Sequence, residues 1–322
     1  IADFSLLDFI KQIKLINCKL GIDIKTISIN NYNLLKKTCH EKNIKIVDII
    51  NNLIDILWKR SLKFQKTDEL FLLDRKYVGK SFFEKKKQLI NYVKGQSAEL
   101  IFIQNSESLA WLLNLRGKDL DYTPITFCSA LISKSFIYLF LEDKNIPTEI
   151  KKKLENKIKF YNKNEFVNVI KKLCVDKKII IDEFCTSVFN FNLLSKYTKK
   201  ILIKDDILQN LKSIKNIQEI KCLKKAHLYD GKALCKFLYW FKNKKGTISE
   251  LDIVNKVDDL RAENLGFICR SFPTIAGSGP NGAIIHYQPS LNSNRIVKEN
   301  DILLLDSGAQ YFYGTTDVTR TI

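Results

Sequence analysis

Short runs of branched apolar residues alternate with amphipathic stretches from Gly21 to about Tyr77. Two of the runs, residues 24–29 and 44–50, have the length and residue types of β-strands. The stretches around them carry apolar residues at helical spacing. This alternation is typical of β–α units, so we predict that residues 1–77 belong to an α/β domain.

The alternation continues to about residue 213 and indicates a second α/β domain over residues 78–213. In this region the pattern predicts helices at residues 80–94, 106–114, 148–159 and 165–173, and strands at residues 99–104, 125–133, 136–141, 178–182 and 200–204. The lysine run at 151–153 fits a solvated helix face better than a binding patch.

A third region begins at residue 214 with a long amphipathic pattern that predicts a helix over residues 217–242. Its predicted apolar face consists of Ile217, Ile220, Leu223, Leu234, Phe237, Leu238 and Phe241. Ser249 can cap a further helix that carries Ile253, Val257 and Leu260 on one stripe before Gly266. The chain is rich in strand and turn patterns after that helix.

Charge and cysteine content narrow the class of protein. The sequence holds 53 Lys and Arg against 35 Asp and Glu, a net charge of +18, but the lysines are scattered rather than interleaved with aromatic residues. A base composition rich in A and T explains the lysine excess as well as an acidic partner would. We therefore do not expect nucleic-acid binding.

The eight cysteines include no CxxC pair, and several lie inside apolar runs. This usage favours a reducing, cytoplasmic compartment. No apolar run approaches the roughly 20 residues that span a bilayer, so we expect no membrane association.

The densest chemical signal is the segment DILLLDSGAQYFYGTTDVTRT at residues 301–321. An apolar strand leads to Asp306, a second strand carries Asp317, and Gly314 lies between them at a predicted bend. If the segments pair as a hairpin, two carboxylates meet on neighbouring strands, an arrangement that a divalent cation stabilises. The bare spacing, taken alone, more often reflects a strand-end cap and a turn residue.

The sequence of this segment resembles the metal-binding hairpin of the pita-bread metallopeptidases. Its GAQY and GTTDVTRT portions are similar to those of eukaryotic, three-domain aminopeptidase P. ESLAWLLNLRGKDLDYTP at residues 107–124 and IKNIQEIKCLKKAHLYDGKAL at residues 214–234 extend the resemblance. The resemblance implies two creatinase-like α/β domains followed, at residues 214–322, by a pita-bread catalytic domain that is incomplete at its C-terminal end.

A second constellation, SFPTIAGSGPNGAIIHYQP at residues 271–289, ends a Gly- and Pro-rich loop with His286. Taken alone, a single histidine after an apolar run such as this is more often a core residue than a site residue. The resemblance assigns to His286 a catalytic and substrate-binding role, in which it hydrogen-bonds the substrate at the scissile peptide. Arg116 fits a helix cap or a salt bridge and is not assigned to the site.

The resemblance implies a metal-dependent aminopeptidase that removes the first residue of peptides with proline in second position. Asp306 and Asp317 would hold two divalent ions, most commonly Mn²⁺ in the family, and a metal-bridging hydroxide would attack the peptide. The remaining ligands, one histidine and two glutamates, are expected beyond Ile322. The chain is accordingly expected to be a middle portion of a longer, homodimeric enzyme of the cytoplasm, with an acidic organelle as a further compartment.

Two alternatives remain at this point. Prolidase and methionine aminopeptidase use the same fold and would keep both aspartates, although the preceding α/β domains and the GAIIHYQP wording favour aminopeptidase P. Some pita-bread domains have lost their metals and bind histones or RNA, and the positive charge suits that function. The presence of Asp306, Asp317 and His286 favours the enzyme.

Overall fold

The structure is a computed structural model that describes residues 5–14, 16–49, 51–58, 70–141, 146–154 and 156–322. The chain forms two compact units. The first unit comprises Ile1–Leu70, Phe82–Leu115 and Thr126–Ser213, and the second comprises Phe71–Ser81, Arg116–Ile125 and Ile214–Ile322. The predicted domain boundaries at residues 77 and 213 stay predictions.

The described residues form helices along the whole length of the chain. They are α1 (Leu6–Gln12), α2 (Ile29–His40), α3 (Leu53–Leu57), α4 (Arg75–Val78), α5 (Phe82–Gly95), α6 (Ser106–Leu113), α7 (Thr148–Leu154), α8 (Phe166–Leu173), α9 (Val188–Tyr197), α10 (Ile207–Ser213), α11 (Ile217–Asn243) and α12 (Glu250–Ala262). None of these helices combines the length and the apolar content that crossing a bilayer requires.

The strands of the described residues are shorter than the helices. They are β1 (Lys19–Ile22), β2 (Lys45–Asp48), β3 (Phe71–Leu72), β4 (Leu100–Ile103), β5 (Leu115–Arg116), β6 (Cys128–Ser133), β7 (Ile137–Leu141), β8 (Ile158–Asn162), β9 (Ile179–Ile181), β10 (Ile201–Ile203), β11 (Phe267–Arg270), β12 (Ile275–Ser278), β13 (Leu303–Ser307), β14 (Ala309–Tyr311), β15 (Gly314–Thr315) and β16 (Val318–Thr321).

The first β–α unit of the chain consists of β1, α2 and β2, with β1 parallel to β2. The strand predicted at residues 24–29 is wrong. Asp23 starts a turn by accepting a hydrogen bond from the Lys25 amide (2.9 Å), and Ser28 then caps α2 through the Asn31 amide (3.3 Å). The local turn and cap chemistry therefore outweighs the β-propensity of the branched residues. The strand predicted at residues 44–50 is confirmed as β2, and residue 50 lies outside the described residues.

A six-stranded mixed sheet in the order β10-β9-β4-β6-β7-β8 forms the centre of the first unit. The middle strand β4 (LIFI) and its neighbour β9 (III) are buried at every position, as expected for strands covered on both faces. Phe102 and Phe140 contribute large side chains to the core. The predictions for α5, α6, α8, β4, β6, β7, β9 and β10 are confirmed within a few residues at each end.

One predicted helix of this unit is half wrong. The helix expected at residues 148–159 ends at Leu154, and Ile158–Asn162 instead forms the edge strand β8, parallel to β7. Ile158 lies opposite Ile137 and is buried with it. Pairing with a distant strand outweighs the helical period here. The pattern also failed to indicate α9 and α10.

The second unit contains two long helices, α11 and α12, that the sequence predicted correctly. Asn216 caps α11 by accepting hydrogen bonds from the Gln218 and Glu219 amides (2.9 and 3.0 Å). Ser249 caps α12 through the Asp252 amide (3.2 Å), and the Asp252 carboxylate accepts the Ser249 amide in return (2.8 Å). Such reciprocal caps fix where each helix starts.

The predicted apolar face of α11 is only partly buried. Leu234 and Phe237 join the core, whereas Ile217 and Ile220 are exposed. The N-terminal half of the helix instead buries the small residues Cys222 and Ala226. Small side chains permit a close approach: a Cβ added at Gly314 would lie 3.1 Å from the Leu223 Cδ1 atom. Close packing, and not residue hydrophobicity alone, therefore selects the buried face.

Two three-stranded antiparallel sheets complete the second unit, in the orders β11-β14-β15 and β12-β13-β16. Leu303 and Leu305 of the central strand β13 pack on α11 and α12 through Leu234 and Ile253. The fold is thus a creatinase-like mixed α/β region followed by helices and curved antiparallel strands of the pita-bread type.

Candidate metal centre

Asp306 lies on β13, between β12 and β16. The sequence LLLDS alternates in burial: Leu303, Leu305 and Ser307 are buried on the core side, whereas Leu304 and Asp306 lie on the other face and are partly exposed. Successive strand residues point to opposite faces. The alternating leucines of β13 therefore direct the Asp306 carboxylate away from the core.

The predicted pairing of the two aspartate segments is confirmed. Asp306 lies opposite Thr319, and Gln310 lies opposite Thr315. These two pairs share one register, although Gly308 lies between β13 and β14 and Asp317 between β15 and β16, outside the strands. Continued across this gap, the register sets Asp317 opposite Gly308. Asp306 and Asp317 consequently occupy the same face of the hairpin as diagonal neighbours, a relation that in general separates residues by about 7–8 Å.

The turn of this hairpin differs from the expected one. Phe312 and Tyr313 form the turn, and Gly314 begins the returning strand β15 with an extended backbone. The absence of a side chain at Gly314 serves the contact with α11. The predicted bend at Gly314 is therefore wrong by one residue, although the hairpin itself is correct.

Ser271 and Gly308 fix the backbone between the two aspartates. The Ser271 amide donates to the Gly308 carbonyl (3.1 Å), and the Ser271 hydroxyl donates to the Thr316 carbonyl (2.8 Å). The Thr316 hydroxyl in turn accepts from the Ala309 amide (3.0 Å). A Cβ at Gly308 would lie 2.1 Å from the Thr316 carbonyl oxygen, so only glycine fits this position.

The chemistry of the two carboxylates suits a divalent cation. Thr319 donates its hydroxyl to Asp306 Oδ1 (2.8 Å), and Asp317 is exposed. Neither carboxylate forms an ion pair with the described lysines or arginines. Two hard oxygen donors held on one face without a countercharge match what Mg²⁺- or Mn²⁺-type ions require. Among the described residues, no group of three or more His, Cys, Asp and Glu side chains could hold a metal.

His286 follows β12 on a loop next to β13. A short 3₁₀ turn (Gly279–Ala283) leads to it, its side chain is exposed, and its backbone is left-handed (φ 55°). In the described chain no hydrogen bond joins His286 to Asp306 or Asp317. The structure thus brings the two aspartates together and leaves the imidazole on a separate, neighbouring loop.

Sequence reasoning missed the buried carboxylate that holds this loop. Glu250, the first residue of α12, has no exposed surface. It accepts hydrogen bonds from the Ser278 amide (2.7 Å), the Tyr287 hydroxyl (2.7 Å) and the Arg295 amide (3.1 Å). The only signal in the sequence was an acidic residue in a first helical turn, which is common on exposed helices.

Other residues considered from the sequence lie outside this arrangement. His40 and His227 are exposed. Arg116 is half-buried, and burial lowers its pKa to about 10, an effect that the nearby Glu219 carboxylate opposes. The Glu219 carboxylate near Arg116 fits the predicted salt-bridge role better than a catalytic role.

Comparison with known proteins agrees with this fold and hairpin. Residues 63–219 match the creatinase/prolidase N-terminal domain, and residues 221–322 match metallopeptidase family M24. The molecule is thus a pita-bread metallopeptidase domain preceded by a creatinase-like domain. Residues 221–322 thus form a domain of the metallopeptidase family M24 type.

Its relatives include proteins named for cleavage at proline. The chain is 30% identical over 315 residues to a probable Xaa-Pro aminopeptidase P of Phaeosphaeria nodorum, covering 94% of this chain and 48% of that protein. It is 32% identical over 312 residues to the corresponding Laccaria bicolor protein, with the same coverage of 94% and 48%. The chain therefore spans about half the length of the curated relatives it matches.

Solved structures show the same fold. An X-prolyl aminopeptidase from Caenorhabditis elegans, described as a cytosolic enzyme with a di-nuclear active site, superposes with a TM-score of 0.88 at 22% identity, over 99% of this chain and 53% of that one. An Xaa-Pro dipeptidase from Bacillus anthracis gives a TM-score of 0.59 at 21% identity, over 75% and 65% of the two chains.

Proposed function

We propose that this chain is part of an Xaa-Pro aminopeptidase, a metalloenzyme that hydrolyses the bond between the first residue of a peptide and a following proline. The observation that carries the proposal is the hairpin register, by which Asp306 and Asp317 fall on one face. Within the part of the chain that the structure describes, no lysine or arginine forms an ion pair with either carboxylate. The names of the similar proteins supply the substrate class. A metal-free histone- or RNA-binding function is not favoured, because it gives these two carboxylates no role.

In this proposal Asp306 and Asp317 hold two divalent cations, with Mn²⁺ as the metal. When bound, such ions supply positive charge near the scissile carbonyl and lower the pKa of a nucleophilic water. The core-side leucines of β13 and the Ser271 contacts hold the two carboxylates in place. The family resemblance implies three further ligands, a histidine and two glutamates, besides these two aspartates.

His286 has the complementary role of a hydrogen-bonding group at the scissile peptide. Its exposed imidazole can reach a ligand, and a positioned imidazole stabilises charge that develops on a carbonyl oxygen. Proline requires a dedicated enzyme because its tertiary amide lacks an N–H group and its ring fixes the backbone. A homodimer and a cytoplasmic location complete the proposal, and the second is in line with the description of the Caenorhabditis elegans enzyme.

The decisive experiment measures Mn²⁺-dependent release of the first residue from an Xaa-Pro peptide by the full-length protein that carries this chain. Asp317→Ala should abolish the release, and a matched Xaa-Ala peptide should be cleaved far more slowly. Asp259→Ala, which alters an exposed aspartate of α12, serves as the control and should keep the activity.

Two results would count against the proposal. Unchanged activity of Asp317→Ala would remove the metal role of that residue. No cleavage by the folded, Mn²⁺-loaded protein would instead favour the binding-protein alternative.

A further inference from the structure

We propose that Glu250 is a positioning residue for His286: one buried carboxylate anchors the loop that carries the imidazole on both sides of it. This inference deepens the proposed function and rests on it. The anchored segment extends from Ser278 at the end of β12 to Arg295 and contains His286 near its middle.

The contacts of Glu250 reach both flanks of the histidine. Before it, the Ser278 amide (2.7 Å), the Ser278 hydroxyl (3.2 Å) and the Asn281 side-chain amide (3.1 and 3.2 Å) donate to the carboxylate. After it, the Tyr287 hydroxyl donates at 2.7 Å and the Arg295 amide at 3.1 Å. The donors therefore enclose residues 279–286 between fixed points.

Tyr287 is the direct neighbour of His286 and transmits the anchor most closely. Its ring is buried, and its hydroxyl also accepts from Asn281 Nδ2 (2.9 Å) and lies 2.8 Å from the Ser293 carbonyl. Burial, followed by the Glu250 carboxylate, raises the pKa of Tyr287, so the phenol remains protonated and able to donate. A buried Tyr287 next to an exposed His286 fixes the direction in which the chain presents the imidazole.

A carboxylate with no exposed surface is costly unless donors replace its water. The hydrogen-bond donors that replace water at the Glu250 carboxylate come almost entirely from one loop. In addition, Glu250 lies at the N-terminal end of α12, where the helix dipole favours a negative charge. Arg295 strengthens the far end by donating to the Ser278 hydroxyl (2.9 Å) and by pairing with Asp301 (2.6 Å). The geometry thus couples the position of His286 to the charge of Glu250.

The backbone of His286 adds a second observation. Its φ of 55° is in the left-handed region, which L-residues with large side chains seldom adopt. Surrounding contacts must hold such a conformation, and the described loop contacts converge on Glu250. Loss of this carboxylate should therefore let residues 279–286 relax and move the imidazole.

The test uses the full-length protein with Glu250→Gln, which keeps the side-chain shape but replaces one acceptor oxygen by an NH₂ group. Because a misplacement of about 1 Å can cost on the order of 100-fold in rate, we expect kcat on an Xaa-Pro peptide to fall roughly 10- to 100-fold. Bound Mn²⁺ should stay unchanged. Asp252→Asn is the matched control, since Asp252 lies in the same helical turn, and its carboxylate accepts, among the described residues, from Ser249 and not from the loop.

A double-variant cycle separates positioning from general stabilisation. In a His286→Ala background, Glu250→Gln should cause almost no further loss of kcat/KM, because the two residues act through one imidazole. Losses that multiply would overturn the inference and leave the proposed function intact. If Glu250→Gln does not fold, Tyr287→Phe removes a single donor, and the same cycle applies with a smaller expected loss.

Hydrogen exchange of the amides in residues 278–295 supplies a readout besides activity. Exchange there should be faster in Glu250→Gln and unchanged in Asp252→Asn, and equal exchange in both variants would overturn the inference. Full activity of His286→Ala would remove the role proposed for that imidazole and overturn this inference, while leaving the proposed function in place. No Xaa-Pro cleavage by the unaltered protein would overturn the proposed function and this inference with it.

Discussion

Asp230 and Arg261 form an ion pair in which neither side chain has exposed surface. Arg261 Nε donates to Asp230 Oδ1 (2.8 Å), Arg261 Nη2 donates to Asp230 Oδ2 (3.0 Å), and the Tyr311 hydroxyl donates to Asp230 Oδ1 (2.9 Å). Burial, followed by the Asp230 charge, raises the pKa of Tyr311. This cluster joins α11, α12 and β14, so a single carboxylate connects both helices to the aspartate hairpin.

Asp230→Asn should destabilise the protein strongly, because it removes the charge of the carboxylate that pairs with the buried Arg261 guanidinium. Breaking a buried pair costs about 3–5 kcal/mol, and urea unfolding measures the change. Glu263→Gln is the control: it breaks the exposed pair with Lys236 and should change the unfolding midpoint little. Equal effects of the two changes would show that burial does not govern this pair.

At the scale of elements, the aspartate hairpin depends on glycine at one close contact. Gly308 lies opposite Asp317 in the register and faces the Thr316 carbonyl and the Ser271 hydroxyl. Both neighbours are hydrogen-bonded to each other, so neither can move without breaking a bond that holds the hairpin. The geometry of the proposed metal centre thus depends on backbone contacts as well as on the carboxylates.

Gly308→Ala should separate the Ser271 segment from the hairpin and reorient Asp317. We expect Mn²⁺ affinity of the full-length protein to fall by about tenfold or more, as happens when residues that orient metal ligands are altered. Calorimetric titration with Mn²⁺ measures the effect. Unchanged affinity would mean that the hairpin tolerates a wider separation than its contacts indicate.

Gly231→Ala, in contrast to Gly308→Ala, should stabilise the protein. Gly231 lies in the middle of α11, and a Cβ there would meet no atom within 4 Å. Alanine reduces the freedom of the unfolded chain and favours the helix, so we expect a stabilisation of about 0.5–1 kcal/mol. Urea unfolding again provides the measurement, and a loss of stability would contradict the open environment of this position.

At the scale of the whole molecule, the net charge is +18, and two of the lysines that contribute to it are buried. Lys85 and Lys86 are both buried in the first unit. Lys85 donates to the Asn114 side chain (2.6 Å) and to the Trp111 carbonyl (2.8 Å), whereas Lys86 donates to the Ser135 carbonyl (2.9 Å). Burial, and then the charge of Lys157, lowers the pKa of Lys86 to about 8.

The pH dependence of stability follows from that shift. Between pH 8 and the usual lysine pKa of 10.5, the unfolded chain binds more protons at Lys86 than the folded chain, so this residue makes stability rise with pH. Lys86→Met should be more stable than the parent at pH 7, and the difference should shrink towards pH 10.5. Lys87→Met, at an exposed neighbour, is the control, and parallel curves for Lys86→Met and the parent would contradict the shift.

The elements that the sequence predicted correctly are those whose own residues determine them, and the errors concern elements that depend on contacts with distant residues. The strand predicted at residues 99–104 was correct because its centre, residues 100–103, is entirely apolar. The helix α12, where caps and an apolar stripe agree, was also predicted correctly. Residues 158–162 were not, because their strand depends on pairing with Ile137. In the site, the two aspartates were predictable because their spacing and surrounding sequence lie within one hairpin. The role of Glu250 was not predictable, because its hydrogen-bond donors are 28 to 45 positions away in the sequence.

The register that the β13–β16 and β14–β15 pairs share limits how the length of the aspartate hairpin can vary between related sequences. Deleting one residue between Thr315 and Asp317 would turn Asp317 towards the core face, because each step along a strand reverses the side-chain direction. Insertions at Phe312 and Tyr313 would lie outside the paired strands and leave both carboxylates in place. We therefore expect relatives to differ in length at the hairpin tip, while the pairing of Asp306 with Thr319 remains the same.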